Sequence, residues 1–399
     1  MEVKNFLTRT YRREHFWLCV IVLLTLVMHF AIIAIPQDII FDEQHYIEDA
    51  RRILEEQRTE RLEHPPLGKL FIAAGIKVFG DNPVGWRFIP IICGTLIVVF
   101  FYFLCRGLDM GRNGASLATF FLAFENMTFV HSQMAMLEVF FLMFMVGAFM
   151  LYANRQWIAA GAMIGLSGLA KLNGALAGPT LIVHWLFSGG RRSRWFAMTV
   201  IIAPLVFLGW MALFDLAIVR DVANLHDPLS RTKEMLDLSG QLKFATTEHE
   251  ALSRPWEWLL AYKPMAYYIT PRYTAAISFS IWALSIPTFL YMVWRAIKRN
   301  SAALFGASWF FCNYIIWIPA SLITDRVSYI YYFYPAVGGI CIGLGLALQQ
   351  LWGVFRNRPT GKLRWVALSG FILILLAHLV SFIGLAPILP IDWLSIFHI

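Results

Sequence analysis

Long apolar runs alternate with short polar breaks along most of the chain, and eleven of those runs approach the roughly 20 residues needed to cross a bilayer. They cover 16–35, 85–105, 115–130, 134–153, 158–170, 174–188, 195–217, 275–293, 302–323, 331–352 and 365–389, the fifth and sixth being short for a crossing. The pattern predicts an all-α polytopic membrane protein with about eleven transmembrane helices. Two stretches between runs are long, 36–84 and 219–273. They divide the chain into a module over 1–218, an outer loop over 219–273 and a second module over 274–399.

The first long stretch carries its own periodicity. Between 44 and 62 the apolar residues Ile47, Ala50, Ile53 and Leu54 recur at helical spacing among dense charges, which predicts a helix lying at the membrane interface. From 67 to 79 the chain is apolar again but too short to cross, so a second interfacial or re-entrant helix is expected there. Pro65 and Pro66 directly before it favour a helix start.

Composition agrees with the pattern. A chain that is 59% hydrophobic and 15% charged holds far more apolar surface than a soluble protein of its size can bury. With the amino terminus inside, the short inner segments contain Lys4, Arg9, Arg12, Arg13, Arg106, Arg112, Arg155, Arg191, Arg192, Arg194, Arg295, Lys298, Arg299, Arg356, Arg358, Lys362 and Arg364. That is 17 of the 33 basic residues, with at least one in every inner segment, so the charge bias places both long loops and the carboxyl terminus outside. The net charge of +8 is spread over these segments instead of forming one basic patch with interleaved aromatics, and no nucleic-acid partner is expected. The five cysteines all fall within apolar runs without metal-type spacing. The first run lacks a small-residue cleavage site and reads as a retained helix.

Chemistry concentrates in the first outer loop. Asp42 and Glu43 lie about six residues past the first span, at headgroup level, where a desolvated carboxylate can take a proton from an attacking hydroxyl. The plain alternative is a solvated loop end. His45, His64 and Lys69 follow, and the helix start after Pro66 offers free backbone N–H groups and a cation to a phosphate. Glu125, Glu138 and Lys171 are ionisable groups inside spans, which face either a cavity or each other. In the second outer loop Trp256 and Trp258 are placed to anchor at the interface or to stack on a sugar. Arg326, before the tyrosine-rich stretch that includes Tyr332, can hold a phosphate with two prongs. The sequon-like Asn126-Met127-Thr128 lies within a span, and the glycines of 338–345 read as close helix packing. No spacing demands a metal, although a divalent ion is compatible with the acids and histidines.

Phe41-Asp42-Glu43-Gln44-His45-Tyr46, His64-Pro65-Pro66-Leu67-Gly68-Lys69 and Arg87-Phe88-Ile89-Pro90 resemble the amino-terminal signature of the protein O-mannosyltransferases, membrane enzymes of the C-type glycosyltransferase fold. The stretch from Glu125 to Glu138, then Gly168-Leu169-Ala170-Lys171-Leu172-Asn173-Gly174, Ser253-Arg254-Pro255-Trp256-Glu257-Trp258 and 326–335 continue the likeness in order over roughly 30–350. The resemblance implies an acceptor-activating role for Asp42 with Glu43 beside it, phosphate contacts from Arg326, and transfer of mannose on the outer face from a polyprenyl-phosphate donor to a protein. It also implies a prokaryotic form in the plasma membrane, since the chain has no room for the extra luminal domain of eukaryotic members. The chain departs from the family at Glu125, Gln133 and Glu138, where aspartate, arginine and aspartate are usual, and the missing arginine bears on which sugar and acceptor are used.

Two classes of function follow. One is an inverting glycosyltransferase in which Asp42 takes the acceptor proton while His64, Lys69 and Arg326 stabilise the departing lipid phosphate. Its variants move mannose to protein, or a pentose, another hexose or an aminosugar to a lipid or glycan. The other is a transporter of a lipid-linked sugar, which needs neither an acidic pair nor phosphate elements gathered in outer loops and which normally shows paired repeats.

Overall fold

In a bilayer every backbone polar group must be paired within the protein, and a chain this apolar satisfies that by folding almost entirely into helices. The computed structural model describes residues 14–218, 227–357 and 360–388. Lys4, Arg9, Arg12, Arg13 and Arg358, used above for orientation, lie outside the described residues, as does the end of the eleventh run.

Helix α1 (Phe16–Ala31) leads into the first loop, which contains α2 (Glu43–Glu56) and α3 (Leu67–Phe79). Helix α3 matches the expected 67–79, while α2 starts as expected but ends at Glu56, six residues before the expected end at 62. Gly80, at φ 87°, turns the chain back into α4 (Pro83–Gly107), where a Cβ on Gly85 would sit 1.9 Å from the Gly80 carbonyl oxygen, so only glycine lets the two helices meet. Next come α5 (Arg112–Ala123), α6 (Asn126–Ser132), α7 (Leu137–Ala153), α8 (Trp157–Ala170), α9 (Ala177–Phe187) and α10 (Phe196–Ile218). The second loop contains α11 (Pro228–Ser239), α12 (Glu257–Leu260) and an antiparallel hairpin of β1 (Met265–Tyr268) and β2 (Tyr273–Ala275). The last module is α13 (Phe279–Ile297), α14 (Ser301–Phe310), α15 (Trp317–Thr324), a 3-10 segment over Ile330–Ala336, α16 (Val337–Asn357) and α17 (Lys362–Leu385).

The core runs along two seams. Helix α8 packs against α7 and α10, and α7 against α4; α16 packs against α5 and α14. The second seam uses the glycine stretch as expected, with Gly339 against the Gly306 carbonyl and Gly345 against the Gly114 carbonyl. The ends of α4, α7, α13 and α16 remote from Asp42 carry or adjoin Arg106, Arg155, Arg295 and Arg356, so the basic segments gather at the end of the bundle opposite the first loop.

The count of eleven spans is not reproduced. Six described helical segments are long and apolar enough to cross, or seven when the bent pair α6 and α7 is taken as one span. Three more, at Phe16–Ala31, Trp157–Ala170 and Leu172–Phe187, are apolar but shorter. The third and fourth runs differ most from expectation. The helix expected over 115–130 ends at Ala123, Glu125 caps a new one, and the chain then turns by 113° between α6 and α7. The turn falls where the third and fourth runs were separated, whereas the break at Glu125 lies inside the third run and was not expected.

Candidate active site

The bend between α6 and α7 is built around Glu43. This carboxylate is fully buried and accepts from the backbone N–H of Ile40 at 3.1 Å and of Ala135 at 2.8 Å. It also receives Arg87 Nε at 3.1 Å and Nη2 at 2.9 Å, while the remaining guanidinium donors reach the carbonyls of Pro36 and Asp38. Glu43 thus ties the first loop to α4 and to the bend. Its oxygens are occupied, which corrects its assignment as a catalytic carboxylate: it is a fixed post on which its neighbour stands.

That neighbour is Asp42, at the start of α2 and free of any such clamp. Burial and the nearby Glu138 carboxylate push it up to about 6, against the pull of Lys171 and Arg61. The bend places Glu138 in the first turn of α7, where its Oε1 receives the Lys171 ammonium. Its Oε2 is buried and has no hydrogen-bond partner among the described residues. Lys171 sits in the break after α8, its Nζ 5.9 Å and 6.0 Å from the ring centroids of Tyr331 and Tyr332. Residues 171 and 138, far apart in sequence and expected as site or pair residues, pair with each other and lie within electrostatic reach of Asp42.

His64 lies near Lys171 in the same cluster, its Nε2 3.4 Å from the Tyr46 hydroxyl. Burial and the cations around it, Lys171, Lys69, Arg326 and Arg61, hold its pKa well below the ordinary value, so it is a neutral imidazole and not the positive phosphate contact expected. Arg326, half-buried at the end of the bridge with Lys243, has no carboxylate partner among the described residues. Tyr332 packs on Trp317 at 5.2 Å and borders the same cluster.

Three expected site residues, Lys69, Glu125 and Trp258, are engaged elsewhere. Lys69 is buried, with its three ammonium hydrogens directed at Asp49 at 2.9 Å, Thr59 Oγ1 at 2.6 Å and the Arg61 carbonyl at 2.8 Å. It has no donor left for a phosphate, because the buried Asp49 needs it. Glu125 spends its oxygens on the N–H groups of Thr128 and Ser278, docking the strand exit onto α6. Trp258 is wholly buried and donates to Ser253 Oγ at 3.1 Å, which makes it a core residue. Gln133, the position of the missing arginine, faces α1: its Oε1 is 2.7 Å from His29 Nδ1, away from the carboxylates. His45 lies on the outer side of α2, its Nδ1 2.6 Å from Arg61 Nη2, beside a polar cleft of about 310 Å³. Trp256 lies partly exposed beside Arg254, 5.9 Å from its guanidinium. Among the described residues no three histidine, cysteine or acidic side chains come together as a metal site.

The residues not anticipated are Arg61, Arg87, Tyr331 and Tyr267. Arg87 and Tyr331 stood in quoted motifs, while Arg61 and Tyr267 had no signal in the sequence.

The family model described as dolichyl-phosphate-mannose-protein mannosyltransferase matches residues 63–215, and a second model of the same description matches 19–86. The two models carry one description and together span residues 19–215, so this part of the chain is similar to the protein O-mannosyltransferases. The family's polyprenol-phosphate-mannose–protein mannosyltransferase of Corynebacterium glutamicum is 25% identical over 422 residues, covering 82% of this chain and 80% of the relative. That of Mycolicibacterium smegmatis strain MKD8 is 30% identical over 207 residues, and the match spans 47% of this chain and only 38% of the relative. Among solved structures, the Saccharomyces cerevisiae Pmt1-Pmt2 complex bound to the sugar donor superposes with a TM-score of 0.72 at 12% identity, over 94% of this chain and 90% of that one. ArnT from Cupriavidus metallidurans gives 0.58 at 19% identity, over 93% and 73%. The fold of this chain is therefore the C-type glycosyltransferase fold, and the protein is an integral membrane protein.

Proposed function

We propose that the protein is an inverting glycosyltransferase that moves mannose from a polyprenyl-phosphate donor to a Ser or Thr hydroxyl of a protein, on the outer face of a prokaryotic plasma membrane. The observation that carries this reading is that a carboxylate poised near neutral pH, Asp42, and a guanidinium without a carboxylate partner among the described residues, Arg326, lie among the same charged groups around Lys171 and His64. The acceptor oxygen loses its proton to Asp42 and forms the new bond to the anomeric carbon. The bond from that carbon to the phosphate oxygen breaks on the opposite side, and its electron pair leaves with the lipid phosphate. Arg326 and the Lys171 end of the Glu138 pair meet the charge that develops there. The unpartnered Glu138 Oε2 is placed to accept from a sugar hydroxyl.

Beside these groups, an apolar cavity of about 470 Å³ between α8, α9, α10 and α11 is lined by Gly168, Leu172 and Phe207 among others. It begins one residue from Lys171 and suits isoprene units whose phosphate sits at the Lys171 end. Basic residues at the far end of the bundle support an outward-facing site. Relatives bearing the name polyprenol-phosphate-mannose–protein mannosyltransferase over most of this chain's length support mannose and protein as the substrates.

The test is purified protein with a panel of polyprenyl-phosphate sugars and a Ser/Thr peptide, reading released lipid phosphate and glycosylated peptide. Mannose should be transferred at the highest kcat/KM. Release with another sugar alone, or with a lipid or glycan acceptor alone, would replace the substrates while keeping the chemistry. No release with any donor would sink the transferase reading.

The phosphate contact has its own prediction. Arg326→Ala should weaken donor binding by about tenfold, the worth of one charge-assisted contact. Arg326→Lys should recover only part of it, since an ammonium cannot form a two-pronged contact. Lys69→Met should instead lower the melting temperature and leave donor affinity within about twofold, because its partner is Asp49. Donor-analogue binding to the three variants decides between the two lysine roles, phosphate contact and buried pair.

A further inference from the structure

We propose that Tyr267, on the hairpin of the second outer loop, is a positioning residue that holds the Asp42 loop and the Glu138 bend in one arrangement. The inference rests on the transferase reading above.

Two contacts of one side chain carry it. The Tyr267 ring lies stacked on Phe41, with centroids 4.3 Å apart and planes at 15°. Phe41 immediately precedes Asp42 and has φ 48°, a left-handed conformation that is unfavourable for a non-glycine residue and persists only where packing holds it. The Tyr267 hydroxyl lies 3.2 Å from His131 Nε2. His131 Nδ1 is 2.8 Å from the Met127 carbonyl, which can only accept, so in the neutral ring Nδ1 carries the hydrogen and Nε2 accepts from the tyrosine. His131 is in the last turn of α6, directly before the bend that leads to Glu138, and its ring is stacked on Tyr334 at 4.8 Å. Tyr267 is thus the shared neighbour of the residue before Asp42 and of the turn before Glu138.

The hairpin is built to deliver it. Strand pairing is irregular between Ala266 and Tyr268, and at that irregularity Tyr267 turns inward and is buried while Ala266 faces out. Separate hooks dock the rest of the hairpin: the Tyr268 hydroxyl donates to Asp38 Oδ2 at 2.6 Å and the Tyr273 hydroxyl to the Ile35 carbonyl at 2.7 Å. Loss of the Tyr267 hydroxyl therefore leaves the hairpin attached.

Besides Tyr267, the groups facing Asp42 are Glu138, Lys171 and Arg61, with the phenols of Tyr46, Tyr329 and Tyr331. Removing the Tyr267 ring opens the dry side of Asp42 to water and lets its carboxyl fall toward the ordinary 3.8.

The full chain in nanodiscs, with polyprenyl-phosphate mannose and a Ser/Thr peptide, provides the test. Tyr267→Phe keeps the stack and loses the hydrogen bond. Its kcat should fall about tenfold with donor KM nearly unchanged, the signature of misplaced groups and not of lost binding. Tyr267→Ala should fall further, and the acid limb of its kcat/KM profile should move below the wild-type value of about 6, while Tyr267→Phe keeps that limb. Tyr268→Phe serves as the control for hairpin docking and should stay within about twofold of wild type. Wild-type kcat in Tyr267→Phe overturns the proposal, as does an unmoved limb in Tyr267→Ala. Infrared titration of the Asp42 carboxyl, identified by its loss in Asp42→Asn, follows the same shift without substrate. Absence of transfer by the wild type would therefore strike the transferase reading and not the clamp.

Discussion

Asp42→Asn should lower turnover by about 100-fold or more while donor binding survives, since a general base contributes about 10²–10⁴ and the amide keeps the size and most hydrogen bonding of the carboxylate. The same residue sets the pH dependence. A base works deprotonated, and burial beside Glu138 raises Asp42 to about 6, so kcat/KM in the wild type should climb about tenfold per pH unit below 6 and level off above it. The climb should be missing from the residual activity of the Asn variant. Near-normal turnover in Asp42→Asn would move the base to another group. Glu138 is then the next to replace, because Glu43 has no oxygen free for the task.

The second large effect is on the fold. Arg87→Ala should destabilise the protein by about 3–5 kcal/mol, because it strands the Glu43 carboxylate in a fully buried site and releases the carbonyls of Pro36 and Asp38. Glu43→Gln should be milder in stability, since the amide oxygen still accepts, yet it should reduce turnover by loosening the loop that carries Asp42. Replacing both partners with apolar residues of similar volume should restore much of the melting temperature, as buried pairs exchanged together often do. Activity should not return with it, because no apolar pair reproduces the bonds to Ile40 and Ala135 that fix the loop against the bend. Thermal unfolding and single-turnover transfer on the same preparations separate the two effects. Full activity in the stable double variant would show that the pair only holds the fold.

The sequence alone determined what depends on local composition. Apolar length specified a membrane protein and a short helix over Leu67–Phe79, periodicity placed a helix from 44 on, and headgroup-level position marked Asp42 and Glu43 alike as base candidates. It also marked Glu138 and Lys171 as costly charges needing a partner, which they find in each other. Only the tertiary structure decided which charges remain available. Asp42 and Glu43 are neighbours of the same type in the chain. One is consumed by Arg87, 44 residues away, and the other is left beside Glu138 and Lys171. Lys69 looked like a phosphate ligand because a lysine follows a proline-started helix, and only packing shows Asp49 waiting for it on the adjacent helix. The gap between the runs ending at 130 and starting at 134 marked the place of the 113° turn after Ser132, but the break at Glu125 was not expected: one acidic residue within an apolar run does not show that its carboxylate caps a new helix. Charge satisfaction in a low-dielectric interior is a property of pairs, and pairs are set by the fold.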